Sequence, residues 1–212
     1  MATLTTPGAA SATLLRERTL CVIDVETTGF SPRTERIVEI AMVRVEPGGR
    51  ISERWSTLVD PGRDPGPSHV HGITAHDLHG APTMEELAPA ITERLAGCVL
   101  VAHNVAFDRP FLDAELLRCG AETPDVQQAC TLEAARRHLS LASNKLASVC
   151  DYFGIALTNA HSALADAEAT AAVCYSLLAV AEARGRGRIA WHRSMAELVP
   201  VDELTQPLTR AR

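Results

Sequence analysis

Two carboxylates stand two positions apart at the end of an apolar run. Asp24 and Glu26 close the segment L-C-V-I-D-V-E, whose β-branched and apolar residues predict a strand buried on both faces. Because side chains alternate along a strand, both carboxylates point to the same side. Such a pair repels itself unless a hard cation neutralises it, and all-oxygen ligation favours Mg²⁺ or Mn²⁺ over zinc. The pair is therefore half of a candidate metal site, although a lone D-x-E is commonly a solvated strand end.

A second segment, V-L-V-A-H-N-V-A-F-D, runs from an apolar strand into His103 and Asn104. A helix follows whose first turns carry Asp108. An aspartate at this place also has a plain explanation, because it interacts favourably with the helix dipole. By itself the segment does not identify a site.

A third segment, N-A-H-S-A-L-A-D, places His161 and Asp166 five residues apart at the start of the longest predicted helix. Five residues turn about 500° on a regular helix, so the two side chains would not share a face if both were helical. We therefore predict His161 in the loop before the helix, Ser162 as the N-cap, and Asp166 on the inward face.

The elements that must position these residues follow from the apolar pattern. The strand that begins at Leu20 ends in the turn T-T-G-F, and a hairpin follows over residues 37–46 and 51–59. Beyond a Pro/Gly-rich loop at 61–68 the pattern predicts a helix at 84–95 that Gly97 ends, and two short strands at 99–102 and 126–131. It also predicts helices at 106–118, 132–139, 146–153 and 162–183. This order predicts a mixed α/β sheet covered by helices, with the first strand central.

The composition limits the class of protein. The chain has 212 residues and a formal net charge of −6, which argues against a broad basic surface that coats nucleic acid. Its six cysteines form no C-x-x-C pair, and we expect buried, reduced thiols. We see no signal peptide and no apolar run of bilayer length, and we expect a cytoplasmic protein with no membrane partner. We predict a flexible leader at 1–18, one domain at 19–184 and a tail at 185–212.

The motifs D-V-E-T-T-G, H-N-V-A-F-D and H-S-A-L-A-D, in this order, closely resemble the three motifs of the DEDDh, or DnaQ-like, exonucleases. That family includes the epsilon proofreading subunit of bacterial DNA polymerase III, oligoribonucleases and ribonuclease T, and the resemblance covers residues 19–182. It implies a ribonuclease H-like fold with a five-stranded sheet. It also implies 3′→5′ hydrolysis of single-stranded ends to 5′-mononucleotides.

The resemblance implies a role for each motif residue. Asp24, Glu26 and Asp166 would bind a pair of divalent cations, Mg²⁺ or Mn²⁺, and Asp108 would hold the second ion largely through water. His161 would be the general base, because a histidine with an unperturbed pKa of about 6.5 is largely neutral at pH 7 to 8. The sister branch uses a tyrosine there, and the two tyrosines of this chain, at 152 and 175, lie elsewhere in the sequence.

The resemblance also suggests substrate-binding residues, namely Thr27, Thr28, Gly29, Phe30, His71, Asn104 and Phe107. The three residues after the carboxylates would hold the terminal nucleotide in a turn, and Phe30 would stack on the last bases. Each has a structural alternative, since the turn could simply end the strand and both phenylalanines could belong to the core. Glu39 lies among apolar residues, and we expect it to have a structural or edge role, because nothing in the sequence brings it near Asp24.

Three alternatives remain at the level of sequence. The substrate could be single-stranded DNA, in proofreading or repair with a DNA polymerase subunit as partner. The alternative is RNA, as in oligoribonuclease or ribonuclease T, because both polymers present the same phosphodiester, although the H-G-I-T segment and the overall spacing favour the epsilon-like side. The third alternative is an inactive nucleic-acid-binding or scaffolding subunit. The tail carries no convincing clamp-binding motif, which weakens the assignment to a replicase.

Overall fold

The structure of the protein is a computed structural model that describes residues 15–157 and 162–183. Residues 1–14 of the predicted leader, the whole predicted tail at 185–212, and His161 lie outside the described residues. The strands are β1 (Leu20–Thr27), β2 (Ile37–Val45), β3 (Ile51–Leu58), β4 (Val99–Ala102) and β5 (Gln128–Cys130). The helices are α1 (Ser68–His71), α2 (Met84–Leu95), α3 (Val105–Arg118), α4 (Thr131–His138), α5 (Leu146–Phe153) and α6 (Ala163–Ala183).

The five strands form one mixed sheet in the order β3-β2-β1-β4-β5, with β1 at its centre. The strands β1, β2 and β3 pair antiparallel, whereas β4 lies parallel to both β1 and β5. The carboxyl ends of β1, β4 and β5 therefore meet at one edge of the sheet. This arrangement confirms the predicted sheet and the central position of the first strand.

Alternation along β1 divides the core between the two faces of the sheet. Cys21, Ile23 and Val25 belong to the apolar cluster that includes side chains of α2 and α3. Leu20 and Val22 belong to the cluster formed with α6. Asp24 and Glu26 continue this second series, so their carboxylates lie on the α6 face, where α6 can bring a further ligand to them.

Helix α6 is covered on two sides. Its alanines at 163, 167 and 171 pack on the sheet, and Ala169, Val173 and Leu177 pack with α4 and α5. Within the described residues it is the one helix that is long and apolar enough to span a membrane, judged by length and composition alone. Core helices of globular proteins meet the same test, and its burial between sheet and helices accounts for its composition.

A few elements differ from the pattern-based prediction. The fifth strand is shorter than the predicted 126–131, because α4 already begins at Thr131. The residues Ser68–His71 form a short helix where no element was predicted. At the end of the predicted leader, Leu15–Glu17 form a 3-10 turn whose Leu15 packs into the α6-side core. All six cysteines are free thiols, five of them buried, as predicted.

Candidate active site

Three carboxylates converge at the carboxyl end of β1. One oxygen each from Asp24, Glu26 and Asp166 can be chosen so that all lie within 4.8 Å of one another. The first two share a face of the strand, and Asp166 comes from the first turn of the helix that covers this face. The structure thus brings together residues that lie 140 positions apart in the sequence.

The start of α6 is held by a further acidic residue, Glu39, which belongs to none of the three motifs. The backbone N–H of Ala163 donates a hydrogen bond of 3.1 Å to Glu39 Oε2, and the antiparallel register sets Glu39 directly opposite Glu26. Our expectation that nothing brings Glu39 near Asp24 is therefore wrong, because the hairpin folds it back beside the site. Its expected structural role holds, since it caps the helix that carries Asp166.

Asp108 approaches the same place from the other side of the sheet. It lies in the first turn of α3 and is buried, and its backbone N–H donates to the carbonyl of Asn104 at 3.4 Å. After burial, the charge of Asp108 is the largest influence on the pKa of Asp24. The two carboxylates therefore lie close enough to repel each other, although Asp108 stands outside the group of three closest oxygens.

The cluster holds its protons more tightly than ordinary carboxyl groups. Burial, followed by repulsion from Asp108 and Asp166, raises the pKa of Asp24 well above its usual value. Burial and the neighbouring Glu39 raise the pKa of Glu26 to about 7, and burial raises the pKa of Asp108 to about 7. Converging carboxylate oxygens with this mutual repulsion are a donor set that fits a hard divalent cation.

The turn after β1 is stabilised by hydrogen bonds that its own side chains form. The hydroxyl of Thr28 donates to Glu35 Oε2 at 2.5 Å and accepts from the Arg36 N–H at 3.0 Å. The hydroxyl of Thr27 donates to the carbonyl of Gly29 at 2.7 Å. Both hydroxyl groups are thus engaged within the turn, whereas Phe30 at its tip is 90% exposed.

The second motif also divides into a structural and an exposed part. His103 Nδ1 lies 2.9 Å from Thr131 Oγ1, and its Nε2 lies 2.9 Å from the carbonyl oxygen of Asn144. The side chain of Phe107 is half-buried and packs against Phe111 with ring centroids 5.0 Å apart. Asn104 is exposed at the start of α3, four positions before Asp108.

A comparison with known protein families agrees with the fold of the sheet and with the carboxylate cluster. The exonuclease family RNase T matches residues 21–174, which is most of the chain. The chain belongs to this family of exonucleases. The resemblance to DnaQ-like exonucleases seen in the three motifs is thereby confirmed.

Curated relatives of this exonuclease are much longer than the chain. A Mycobacterium tuberculosis protein, named as a candidate bifunctional exonuclease/endonuclease, is 38% identical over 175 residues, which is 77% of this chain and 27% of that protein. The PolC-type DNA polymerase III of Clostridium perfringens is 36% identical over 154 residues, 72% of this chain and 11% of the polymerase. The chain thus spans about a quarter or less of these relatives.

Solved exonucleases share the fold. Exonuclease X, determined with 5′-overhanging duplex DNA, is 27% identical with a TM-score of 0.64, over 77% of this chain and 93% of that one. Escherichia coli Exonuclease I, determined with a dT13 oligonucleotide, has a TM-score of 0.71 at 21% identity, over 79% of this chain and 42% of that one. The ribonuclease H-like fold expected from the motifs is therefore confirmed.

In this exonuclease the predicted substrate residues do not all reach the surface. Phe30 and Asn104 are exposed, but His71 is only 6% exposed and its Nδ1 accepts the N–H of Ile73 at 3.1 Å. The helix that carries His71 follows a loop in which Gly66 abuts the backbone of Thr28. His71 is therefore buried, and its direct contact with a nucleotide stays a prediction.

Two further groups support the site of this exonuclease: sequence reasoning missed Glu115 and misjudged the place of Glu39. Glu115 is buried and accepts from Arg36 Nε at 2.8 Å and from the Ile37 N–H at 3.1 Å, which ties α3 to the chain just after the turn. Glu39, described above, holds α6. A charged residue inside an apolar stretch was the available signal for Glu39, because buried carboxylates are rare unless they are paired.

Proposed function

We propose that the protein is a 3′→5′ exonuclease that removes 5′-mononucleotides from single-stranded DNA ends with a pair of divalent cations, Mg²⁺ or Mn²⁺. The observation that carries this proposal is the convergence of Asp24, Glu26 and Asp166 at the carboxyl end of β1, and the exposed ring of Phe30 follows in the turn after that strand. Carboxylates that repel one another provide a cation site, and an exposed aromatic in the following turn would provide a surface for a terminal base.

Each residue of the cluster has a separate task in this proposal. Asp24, Glu26 and Asp166 would hold the cations directly, and Asp108, which stands outside the closest group, would act largely through water. When bound, the cations would supply an activated water on one side of the scissile phosphate and stabilise the departing 3′ oxygen on the other. Glu39 would keep Asp166 in position by holding the first turn of α6.

We assign proton transfer to His161. It lies outside the described residues, and the support comes from its place in the third motif, directly before Ser162. The helix begins at Ala163, and the N–H of Asp166 donates to the carbonyl of Ser162 at 3.1 Å. A histidine joined to this anchored helix start would take the proton from the attacking water.

The preference for DNA ends rests on the relatives. Exonuclease I and Exonuclease X were determined with DNA, and the PolC-type relatives are named as DNA polymerases. We therefore propose a role in proofreading or repair with a DNA polymerase subunit as partner. Phe30 would stack on the last base, and the backbone of Thr27, Thr28 and Gly29 would approach the terminal nucleotide, since the two threonine hydroxyls are already engaged.

The proposal is tested by hydrolysis of 5′-labelled single-stranded DNA and RNA of one sequence, with Mg²⁺ or with EDTA. We expect shortening from the 3′ end with Mg²⁺, faster on DNA, and none with EDTA. Asp24→Ala and Asp166→Ala should abolish turnover, and His161→Ala should reduce it by roughly 10² to 10⁴-fold, the usual scale for loss of a general base. Asp151→Ala, an exposed aspartate of α5, is the matched control.

Three outcomes would overturn parts of the proposal. Absence of metal-dependent release from either polymer would favour an inactive binding subunit. Faster release from RNA would assign the protein to RNA trimming. Near-normal turnover in Asp24→Ala or Asp166→Ala would refute the site.

A further inference from the structure

A cleft of about 500 Å³ lies beside the second motif, at the carboxyl ends of β4 and β5. Its lining includes His103, Asn104, Arg136, Asn144 and Lys145. Asn104 lines this cleft and also precedes α3, whose first turn carries Asp108. Because β1, β4 and β5 end at the same edge of the sheet, the cleft and the carboxylate cluster lie along the same edge.

The wall of this cleft is fixed by His103. Its two ring nitrogens contact Thr131 at the start of α4 and the backbone of Asn144 in the loop before α5. The carbonyl of Asn144 can only accept, so Nε2 carries the proton, and Nδ1 then accepts from the Thr131 hydroxyl. Burial, opposed by the bond to Asn144 and assisted by the nearby charge of Arg136, lowers the pKa of His103 and favours this neutral form. The loop that carries Lys145 is therefore held in place.

The positively charged side chains of the cleft differ from most of the other arginines that the structure describes. Lys145 is the one lysine among the 212 residues, and it is exposed, as is Arg136. Many arginines of the described part are neutralised by carboxylates, for example Arg36 by Glu115 and Arg54 by Glu168. Neither Arg136 nor Lys145 forms an ion pair with any residue that the structure describes.

We propose that Arg136 and Lys145 bind an internal backbone phosphate of the substrate strand, on the 5′ side of the scissile bond. The inference rests on the proposed exonuclease function and names the part of the strand that this cleft holds. An acidic chain cannot attract a polyanion through its overall charge, so phosphate contacts must come from local, unpaired cations. These two cations stand at the edge that the strand would follow from Phe30 past Asn104.

The ligand chemistry is that of a phosphodiester with one negative charge, common to DNA and RNA. A guanidinium can bind two phosphate oxygens together, and an ammonium adds a compact charge with rotatable donors. Contacts to the backbone alone position the strand and carry no sequence information. The cleft therefore raises affinity for any single strand long enough to reach it.

The test compares two double variants of the full chain that each lose two positive charges. Arg136→Gln/Lys145→Gln removes the cations of the cleft. Arg50→Gln/Arg137→Gln removes two exposed arginines that lie outside it, one of them adjacent to Arg136 on α4. The substrates are DNA and RNA oligonucleotides of matched sequence and the p-nitrophenyl ester of thymidine 5′-monophosphate, which has no internal phosphodiester.

We expect the cleft variant to raise KM for oligonucleotides by about 10 to 100-fold, since charge-assisted hydrogen bonds to phosphate are lost. Hydrolysis of the ester should stay within about twofold of the wild-type rate. The slope of log KM against log salt concentration should fall by about 0.7 for each phosphate contact removed, the value for single strands. The control variant should match wild type in all three measurements.

Failure of the inference and failure of the proposed function give different results. If wild type hydrolyses the substrates but the cleft variant has the KM and salt slope of the control, the cleft does not bind the strand. If wild type hydrolyses neither oligonucleotide nor ester, the proposed function is overturned, and the inference with it. A KM increase confined to DNA or to RNA identifies the strand that the cleft serves.

Discussion

At the scale of single residues, the site is a set of like charges that the fold forces together. Glu26 is faced by Glu39 on the neighbouring strand, by Asp166 on α6 and by Asp108 on α3. Each of these carboxylates raises its pKa, and burial raises it further, to about 7. The free protein therefore stores repulsion that a cation or a proton relieves.

This repulsion predicts how the stability of the metal-free protein changes with pH. The folded state keeps the Glu26 proton up to a pKa of about 7, whereas the unfolded state loses it near 4.5. Between these values the folded state binds more protons, so the free energy of unfolding falls as the pH rises. Urea unfolding in EDTA at pH 5, 6 and 7 should show this fall, and Glu26→Gln should reduce its slope.

In Glu26→Gln, part of the fall in unfolding free energy with pH should remain, because the pKa values of Asp24 and Asp108 are also raised. Glu122→Gln, at an exposed position, is the control and should behave like wild type. An equal slope in Glu26→Gln and wild type would show that Glu26 does not titrate in this range.

At the scale of elements, the turn that follows β1 is supported by the loop before α1. Gly66 has φ +81°, and a Cβ added there would overlap the carbonyl oxygen of Thr28. Gly62 in the same loop has φ +65° with nothing within 4 Å of an added Cβ. The two glycines share the same kind of backbone conformation, and only Gly66 touches the site.

A comparison of Gly66→Ala with Gly62→Ala therefore separates backbone strain from displacement of the turn. Gly62→Ala should cost about 1 kcal/mol of stability, the cost of a left-handed conformation at a residue with a Cβ, and keep full activity. Gly66→Ala should cost more and also lower turnover by about 10²-fold, because a shift of about 1 Å at a reacting centre has effects of that size. Unfolding in urea and the oligonucleotide assay measure both, and equal activities would show that the turn tolerates movement.

At the scale of the whole molecule, the proposed substrate is an acidic polymer, and the chain itself has a formal charge of −6. Eight ion pairs within the described residues engage eight of the thirteen arginines there with carboxylates. The carboxylate cluster adds local negative charge at the place of reaction. Bound cations at the cluster and unpaired side chains beside it are therefore needed to receive a phosphodiester.

Because cations bind the folded cluster, they should stabilise the whole domain. A concentration about 100 times Kd adds about 2.7 kcal/mol to the free energy of unfolding, equivalent to a rise in Tm of roughly 5 to 10 °C for a chain of this length. Thermal unfolding in EDTA and in Mg²⁺ or Mn²⁺ measures this rise. Asp24→Asn should abolish it and raise the metal-free Tm, whereas Asp151→Asn should leave both unchanged. A rise that survives in Asp24→Asn would place the cation elsewhere.

The sequence by itself determined the features that depend on local pattern. Apolar periodicity predicted β1, β4, α2 and α5 with their observed positions, and alternation predicted that Asp24 and Glu26 share a face. The three motifs, read in order, predicted the exonuclease family and the ribonuclease H-like fold. Strand alternation and helical periodicity depend on residues that are close together in the sequence, so the physical causes of these features are present in the linear sequence.

Only the tertiary structure decided which distant residues meet. The antiparallel register placed Glu39 opposite Glu26, and the packing of α6 brought Ala163 to the same carboxylate. The bridge from His103 to the loop at Asn144 formed the cleft that contains Lys145. Strand register and helix packing depend on the fit of whole faces over long chain separations, which no local spacing records. For this reason the carboxylates could be named from the sequence, but the residues that hold and extend their site could not.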